Sequence, residues 1–401
     1  TATNAPVSIT GTTHITNSGP TTITTAGGDV LLASNTDDAT DGEATINGYI
    51  RMLSGLSVIT NGGAITLGGG NATGTAYALG STASTAEGIR IDGTVNLNSG
   101  NGNIALRGKS AAVAVANNVG GGAVMFYNVT NGSINSGTGT VLLDGYSQTT
   151  GGNAIAGLLW WNDPTASTFT IQSANTTTSA ITLNGYTTSS SGQSYGLEVE
   201  ATNTLNVYAT GTGGGISING GRAVSNTTPN ENLDIVFRGP VNILANSGPI
   251  SIKGGQLGGV SNGYWFTTLQ TQIGSSAARV TSSASDITIV FDRFWFDGNY
   301  YPKLATTGTV TIAPLSTGFG MGVSSSWFQY NQNSQTMTGL TLGKVGNTAN
   351  INHDTNAITA AGPVSIYGGI LNINSNITSS TASDISLYAA NNVNMYTPLV
   401  T

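Results

Sequence analysis

The sequence predicts an all-β fold, a parallel β-helix (β-solenoid) with about 37 residues in each three-stranded rung. Three observations favour this fold: a deficit of charge, an abundance of glycine and a long-period repeat. Charged residues make up only 7% of the 401 residues, against about 25% in globular domains. Long amphipathic helices are nearly excluded by this composition. Short runs of Val, Ile and Thr between Gly, Asn and Ser predict many short strands instead.

The repeat is a pair of short alternating strands joined by a Gly/Ser/Asn turn. Its clearest copies are GTVNLNSGNGNIALRG at residues 93–108 and GPVNILANSGPISIKGG at residues 239–255. The first apolar residue of each second strand serves as a marker, and successive markers recur at a nearly constant spacing close to the period given above. The markers are Val30, Ile65, Ile104, Val141, Ile181, Ile216, Ile250 and Ile287. A period kept from the first of these markers to the last predicts stacked repeats.

A third strand follows the pair in most copies, after a Gly/Ser/Asn-rich stretch of variable length. Examples are AVMFY at residues 123–127 and YGLEVE at residues 195–200. Strand, tight turn, strand, long loop and strand make one rung of a three-sheet parallel β-helix, with rungs about 4.8 Å apart. A propeller or an antiparallel sandwich would also contain such turns. Three strands per unit, without a Trp-Asp blade signature, favour the solenoid.

Strand alternation predicts which side chains face the core. Val95, Leu97, Ile104 and Leu106 are expected inside, whereas Asn96 is expected outside with Ala105. Stacked Asn and Thr side chains are expected to form hydrogen-bonded ladders along the axis. Glycine at the corners is expected to supply the backbone angles of sharp turns.

The repeat is predicted to be regular over residues 1–289. Residues 290–350 are interpreted as irregular rungs with an aromatic insertion, because Val310 follows Ile287 much sooner than one period and Phe, Trp and Tyr cluster there. Residues 351–401 are interpreted as a continuation of the solenoid.

These repeats resemble the filamentous-haemagglutinin-like secreted exoproteins and adhesins of Gram-negative bacteria. The resemblance rests on the two copies quoted above, on LSVITNGGAITLGGG ending at Gly70 and on TGTVTIAP at residues 307–314. It implies a right-handed parallel β-helix, export across the outer membrane and a role in adhesion or surface structure. The family's amino-terminal secretion domain carries an Asn-Pro-Asn-type motif that this sequence lacks. The chain is therefore expected to be an internal or processed segment.

Charge and cysteine content exclude several classes of function. The chain has no cysteine and a net charge of −7, so thiolate metal sites are excluded. An acidic chain has no electrostatic reason to bind nucleic acid or an anionic membrane. No apolar run approaches the length of a membrane span, about 18 residues or more. The scarcity of Lys and Glu and the abundance of Thr, Asn and Gly favour an extracellular or cell-surface location.

Two groups of side chains are candidate sites. Aromatic residues at or near third-strand positions, or in the insertion, would form a contact surface if they face outward and could then stack on sugars. They are Trp160, Trp161, Trp265, Trp295, Tyr300 and Tyr301. If they face inward, they fill the core; Trp160 and Trp161 cannot both do so in a regular strand. The densest acidic cluster could hold Ca²⁺ through oxygen ligands, although a solvated loop is the alternative. It contains Asp37, Asp38, Asp41 and Glu43.

The leading hypothesis is a non-enzymatic structural or adhesive filament protein. Such a chain would self-associate end to end or laterally and contact host or matrix glycans, without a cofactor other than possible Ca²⁺. A polysaccharide lyase or glycoside hydrolase on the same fold is the competing class, with Asp292 and Asp297 beside the aromatic insertion as its best carboxylates. An ice-binding solenoid is a third hypothesis, which would need a flat Thr-x-Thr ladder at one register.

Overall fold

The computed structural model describes residues 4–36, 48–70, 73–115, 121–151, 155–161, 166–189, 193–222, 233–255, 264–266, 272–274, 285–296, 301–331 and 335–401. Strands are numbered β1 to β37 in chain order, and one 3₁₀ turn covers Ser325–Trp327. All pairings between named strands in this part of the chain are parallel, and they form three large sheets and one small one. An α-helix is absent from the described residues, and none of their helical segments is long and apolar enough to span a membrane.

Sheet I contains sixteen strands and runs through the described length of the molecule. Its strands are β1 (Val7–Gly11), β4 (Val30–Ser34), β7 (Ile65–Gly69), β8 (Ala78–Leu79), β11 (Ile104–Lys109), β14 (Val141–Ser147), β17 (Ile181–Thr187), β20 (Ile216–Arg222), β23 (Ile250–Lys253), β26 (Ile287–Val290), β29 (Thr309–Ala313), β30 (Val323–Ser324), β31 (Gly339–Leu342), β32 (Ile351–His353), β34 (Val364–Ile373) and β36 (Ile385–Met395).

Sheets II and III contain nine strands each. Sheet II consists of β3 (Thr21–Thr24), β6 (Leu56–Ile59), β10 (Val95–Asn98), β13 (Asn131–Asn135), β16 (Ser167–Ser173), β19 (Asn203–Ala209), β22 (Val241–Ala245), β25 (Gln272–Gly274) and β28 (Lys303–Ala305). Sheet III consists of β2 (Ile15–Thr16), β5 (Ile50–Met52), β9 (Ile89–Asp92), β12 (Val124–Tyr127), β15 (Ile155–Trp161), β18 (Ser194–Val199), β21 (Ile235–Phe237), β24 (Tyr264–Phe266) and β27 (Phe294–Phe296). The small sheet consists of β33 (Ile358–Ala360), β35 (Ile377–Ser379) and β37 (Leu399–Val400).

From β3 to β29 the chain visits sheets II, I and III in turn, so that each strand pairs with its counterpart in the next coil. The marker residues of the repeat are consecutive register partners in sheet I, beginning with Val30 opposite Ile65 and ending with Ile250 opposite Ile287. The prediction of an all-β parallel β-helix is therefore confirmed.

The core is a continuous apolar column between the three sheets. Val95, Leu97, Ile104 and Leu106 face it with at most 1% exposure, as alternation predicts. Asn96 and Ala105 lie outside and are half-buried. The expected ladders form on the outer faces. One runs along sheet II, where the Asn242 amide donates to the Asn206 side chain at 2.7 Å.

Buried hydroxyls line the tight turn between sheets II and I. Each donates a hydrogen bond to the carbonyl of a glycine a little further along the chain, so the same turn repeats in successive coils. The donors are Thr25, Thr60, Ser99 and Ser136, and the acceptors are the carbonyls of Gly28, Gly63, Gly102 and Gly139.

Glycines serve two different purposes at the corners. In the tight turn, Gly137 has a φ of +56°, as expected for a sharp bend. At the corner between sheets I and III the expectation of unusual backbone angles is wrong for Gly145, whose φ is not positive. A Cβ on Gly145 would lie 2.0 Å from the carbonyl oxygen of Gly157 in β15. This glycine is needed because two backbones approach closely there.

The coil shortens after Ile287. Val310 is the register partner of Ile287 although it follows well before a full period has passed, and Val364 pairs with Ile385 across a similarly short coil. Aromatic side chains fill the core where the shortening begins. Phe294 is buried there and contacts Phe291 and Phe328, with ring centroids 6.0 and 5.3 Å apart.

Candidate contact face on sheet III

The outer face of sheet III carries a second apolar layer, outside the solenoid core. Six side chains form this cluster, and Tyr127 and Trp161 pack against it while remaining half-buried. The six are Met125, Ala156, Leu159, Tyr195, Leu233 and Val236. Strands β15 and β18 are consequently buried on both faces for nearly their whole length.

The two adjacent tryptophans separate as alternation requires. Trp160 points into the core with 1% exposure, where its ring stacks on Phe126 at 5.5 Å and meets Phe169 edge-on at 6.0 Å. The assignment of Trp160 to a contact surface is therefore wrong, because the side chain is on the inner side of β15. Trp161 lies on the outer face, in register with Tyr127 of the preceding rung.

Of the remaining aromatic candidates, Tyr301 has a described side chain, whereas the other three do not. The backbones of Trp265 and Trp295 are register partners in sheet III, while their side chains lie outside the described part of the chain. Tyr300 also lies outside the described residues. Tyr301 is half-buried, and its ring packs edge-on against Phe296 at 5.5 Å.

The proposed Ca²⁺ ligands Asp37, Asp38, Asp41 and Glu43 lie outside the described residues. Within the described ranges, no group of three or more His, Asp or Glu side chains is arranged to hold a metal ion.

An arginine cluster borders the aromatic pair on one side. The Arg90 guanidinium donates two hydrogen bonds of 2.8 Å to the Asp92 carboxylate and one of 3.2 Å to Glu87. It also lies over the Tyr127 ring, 4.3 Å from its centroid. Bidentate pairing and the cation–π contact fix the guanidinium in one orientation.

A second arginine cluster borders the pair on the other side. Arg238 lies between the carboxylates of Glu198 and Glu200 and donates a hydrogen bond of 2.6 Å to the Tyr195 hydroxyl. Glu198 is fully buried, and this burial raises its pKa to about 8 against the opposing effect of Arg238. The neighbouring Glu200 carboxylate, which shares the same guanidinium, also raises the pKa of Glu198.

The face therefore combines two half-buried aromatic rings with two ordered arginine–carboxylate clusters. Such a surface can contact a polar, flat ligand or a neighbouring filament through stacking and charge-assisted hydrogen bonds. Trp161 was predicted from the sequence as a contact residue, whereas Arg90 and Arg238 were not. One sequence feature could have identified the two arginines. Each lies in or directly after the third strand of a rung, close to acidic residues with which it forms ion pairs.

Among the side chains considered for catalysis, Asp292 and His353 are buried and make internal hydrogen bonds. Asp292 is 3% exposed and accepts a hydrogen bond from the Ser316 amide at 2.8 Å, while Asp297 lies outside the described residues. His353 is buried in β32; its Nδ1 lies 2.6 Å from the Ser325 hydroxyl, and its Nε2 lies 3.2 Å from the Asn376 carbonyl. Both partners of this Ser–His pair are buried, so the arrangement presents no accessible nucleophile.

Comparisons with known proteins add no relative. No family model matches the chain, and neither the curated proteins nor the solved structures contain a match.

Proposed function

We propose that the protein is a non-enzymatic structural or adhesive component of an extracellular filament or bacterial cell surface. The observation that carries this proposal is the parallel solenoid itself. Sheet I stacks rung on rung, with a bulge only where β34 pairs with β36 among the described strands, and polar side chains on its outer face bond from one rung to the next. A repeat architecture of this kind grows in one dimension and suits a load-bearing rod.

The first and last strands of sheet I carry exposed apolar side chains. Ile9 in β1 belongs to the inward column of sheet I but is 38% exposed, and Val393 and Met395 in β36 are 38% and 49% exposed. Apolar side chains beside an open strand edge favour the addition of another strand. That strand can come from a second copy or from a continuing chain.

The extracellular location rests on composition and on the resemblance to the haemagglutinin-like exoproteins. Glycans of a host or matrix are the proposed adhesive partners. The half-buried Trp161 on sheet III is suited to them, because an aromatic ring can stack against a sugar ring.

A column of hydroxyls, which an ice-binding surface would need, runs along the outer face of sheet I. Ser or Thr occupies eight consecutive register positions: Thr182, Ser217, Ser251, Thr288, Thr311, Thr341, Ser365 and Ser386. The neighbouring outward column contains Lys253, Val290 and Ala313. A flat array of two hydroxyl columns is therefore not formed by these strands, which supports the structural function instead.

Negative-stain microscopy combined with sedimentation velocity tests the proposal. We expect rods that lengthen or bundle as the protein concentration rises. A single globular species at all concentrations, or turnover of a polysaccharide by the purified protein, would contradict it.

A further inference from the structure

A lateral groove near the carboxyl-terminal end of sheet I combines flat aromatic surface with polar groups. Its volume is about 470 Å³, within the range of about 300–1,000 Å³ that small-molecule sites occupy. One wall is the turn that follows β31, the other consists of two tyrosines on β34 and β36, and small residues line the remainder. The lining residues are Lys344, Val345, Gly346, Asn347, Thr348, Tyr367, Gly368, Tyr388, Ala389 and Ala390.

The aromatic wall is a stacked pair. Tyr367 and Tyr388 are register partners, and their rings stack with centroids 4.6 Å apart and planes 6° from parallel. Tyr388 is 52% exposed, so a large part of its ring surface faces solvent. A bulge follows at once, between Gly368 and Ile370, and Ala389 and Ala390 leave the adjoining surface free of bulky side chains.

The facing turn is held rigidly. Asn347 is 3% exposed; its side chain donates to the Tyr367 carbonyl at 2.7 Å and accepts from the Phe319 amide at 3.1 Å. The Lys344 ammonium donates to the Leu315 carbonyl at 3.0 Å. The turn therefore needs no ordering when a ligand arrives, which removes one cost of binding. Val345 projects from it with 80% exposure.

We propose that this groove binds a pyranose ring of a glycan. The C–H face of a pyranose is flat and matches the exposed Tyr388 ring, while its hydroxyls can bond to Lys344 and to the exposed Thr348. No carboxylate lines the groove and Lys344 supplies its one cation among the lining residues, so neutral sugars and uronates both fit its charge. This inference rests on the proposed adhesive function and adds a specific glycan site to it, whereas the filament itself can form without any ligand site.

Titration of the purified chain tests the site. The probes are a neutral oligosaccharide panel (cellohexaose, chitohexaose and mannohexaose) and one uronate, oligogalacturonate, followed by saturation-transfer NMR and calorimetry. We expect saturable binding by at least one probe, weakened about fivefold or more by Tyr388→Ala, which matches the lower end of the loss seen when an aromatic ring that stacks on a nucleic-acid base is replaced by alanine. Tyr388→Phe should preserve the affinity within about twofold, because the ring face is kept. Lys344→Met should weaken oligogalacturonate selectively.

Tyr396→Ala is the matched control, because Tyr396 is 72% exposed and lies outside the groove. It should bind as the unchanged protein does, and hydrogen exchange should show the same protection in β34 for all variants. Absence of binding to every probe would overturn the proposal, as would equal affinity in Tyr388→Ala. The proposal is also overturned if no probe binds and Tyr388→Ala abolishes self-association, because the groove is then a contact between copies. Filament formation by a chain that binds no sugar would leave the structural function standing.

Discussion

Gly132 illustrates how one residue in a rung makes room for its neighbour. It lies in the inward column of β13, opposite Phe169 of the next rung. A Cβ at this position would lie 2.1 Å from the Phe169 ring. Phe169 in turn packs against Phe126, with centroids 4.5 Å apart. The absent side chain therefore accommodates the aromatic cluster, and this need is invisible in the sequence because it depends on register.

We expect Gly132→Ala to destabilise the protein by about 1–3 kcal/mol, the usual cost of overpacking a core. Combining it with Phe169→Leu should cost less than the sum of the two single changes, because the smaller side chain relieves the clash. Chemical denaturation of the four proteins measures this coupling. Gly19→Ala is the control, since a Cβ at Gly19 would meet nothing within 4 Å. Additive effects of Gly132→Ala and Phe169→Leu would contradict the explanation.

His353 gives the fold a dependence on pH. Burial lowers its pKa despite the opposing hydrogen bond to the Asn376 carbonyl. The folded protein therefore takes up the proton less readily than the unfolded chain, whose histidine titrates near pH 6.5. Well above that pH the histidine is neutral in both states, so its burial adds no dependence on pH. The free energy of unfolding decreases as the pH falls below about 6.5, because the unfolded chain then binds the proton more readily.

Replacement of His353 by Gln should reduce the loss of unfolding free energy between pH 8 and pH 5.5. Denaturation at the two pH values measures it, and His14→Gln, which alters an exposed side chain, should retain the loss. An equal acid loss in His353→Gln and the unchanged protein would show that other groups cause it.

At the scale of strands, periodicity predicted the regular rungs but not the layer outside sheet III. In β10 the apolar residues alternate with Asn, so one face is plainly interior. In β15 and β18 both faces are buried. The sequence of such a strand is a near-continuous apolar run without alternation. The inner position of Trp160 therefore could not be separated from the outer position of Trp161 until the register was known.

A charge placed in one rung should disturb that rung and its neighbours only. Ile104→Asp would bury an unpaired carboxylate, which is strongly unfavourable, whereas Ala105→Asp on the same strand points outward and serves as the control. Native-state hydrogen exchange should show lost protection in β11 and its partners β7 and β14, with β34 unchanged. Loss of protection along the whole chain in Ile104→Asp would indicate a single cooperative core instead.

For the whole molecule, the sequence indicated where the coil changes but not what it becomes. The short spacing from Ile287 to Val310 predicted an irregularity, and these residues are direct register partners. The small sheet of β33, β35 and β37 was not predicted, because such short strands carry too little alternation to be recognised. The groove beside Tyr388 was missed for a related reason: it depends on a turn and a bulge, which bring together residues that lie far apart in the sequence.

The open core at β36 gives the last prediction, which concerns assembly. Val393 continues the inward column of Leu371, which is fully buried, yet Val393 is 38% exposed. Addition of a further strand would bury it, so association through this end should be driven by apolar contact and by backbone pairing. Val393→Lys places a charge in that contact and should abolish end-to-end association. Asn392→Lys adds the same charge to the same strand at an exposed, outward position and should leave association intact. Sedimentation velocity over a concentration series distinguishes the two variants, and microscopy shows whether any residual assembly is lateral. If both variants associate like the unchanged protein, the contact lies elsewhere on the solenoid; if both fail, net charge rather than the open core controls assembly.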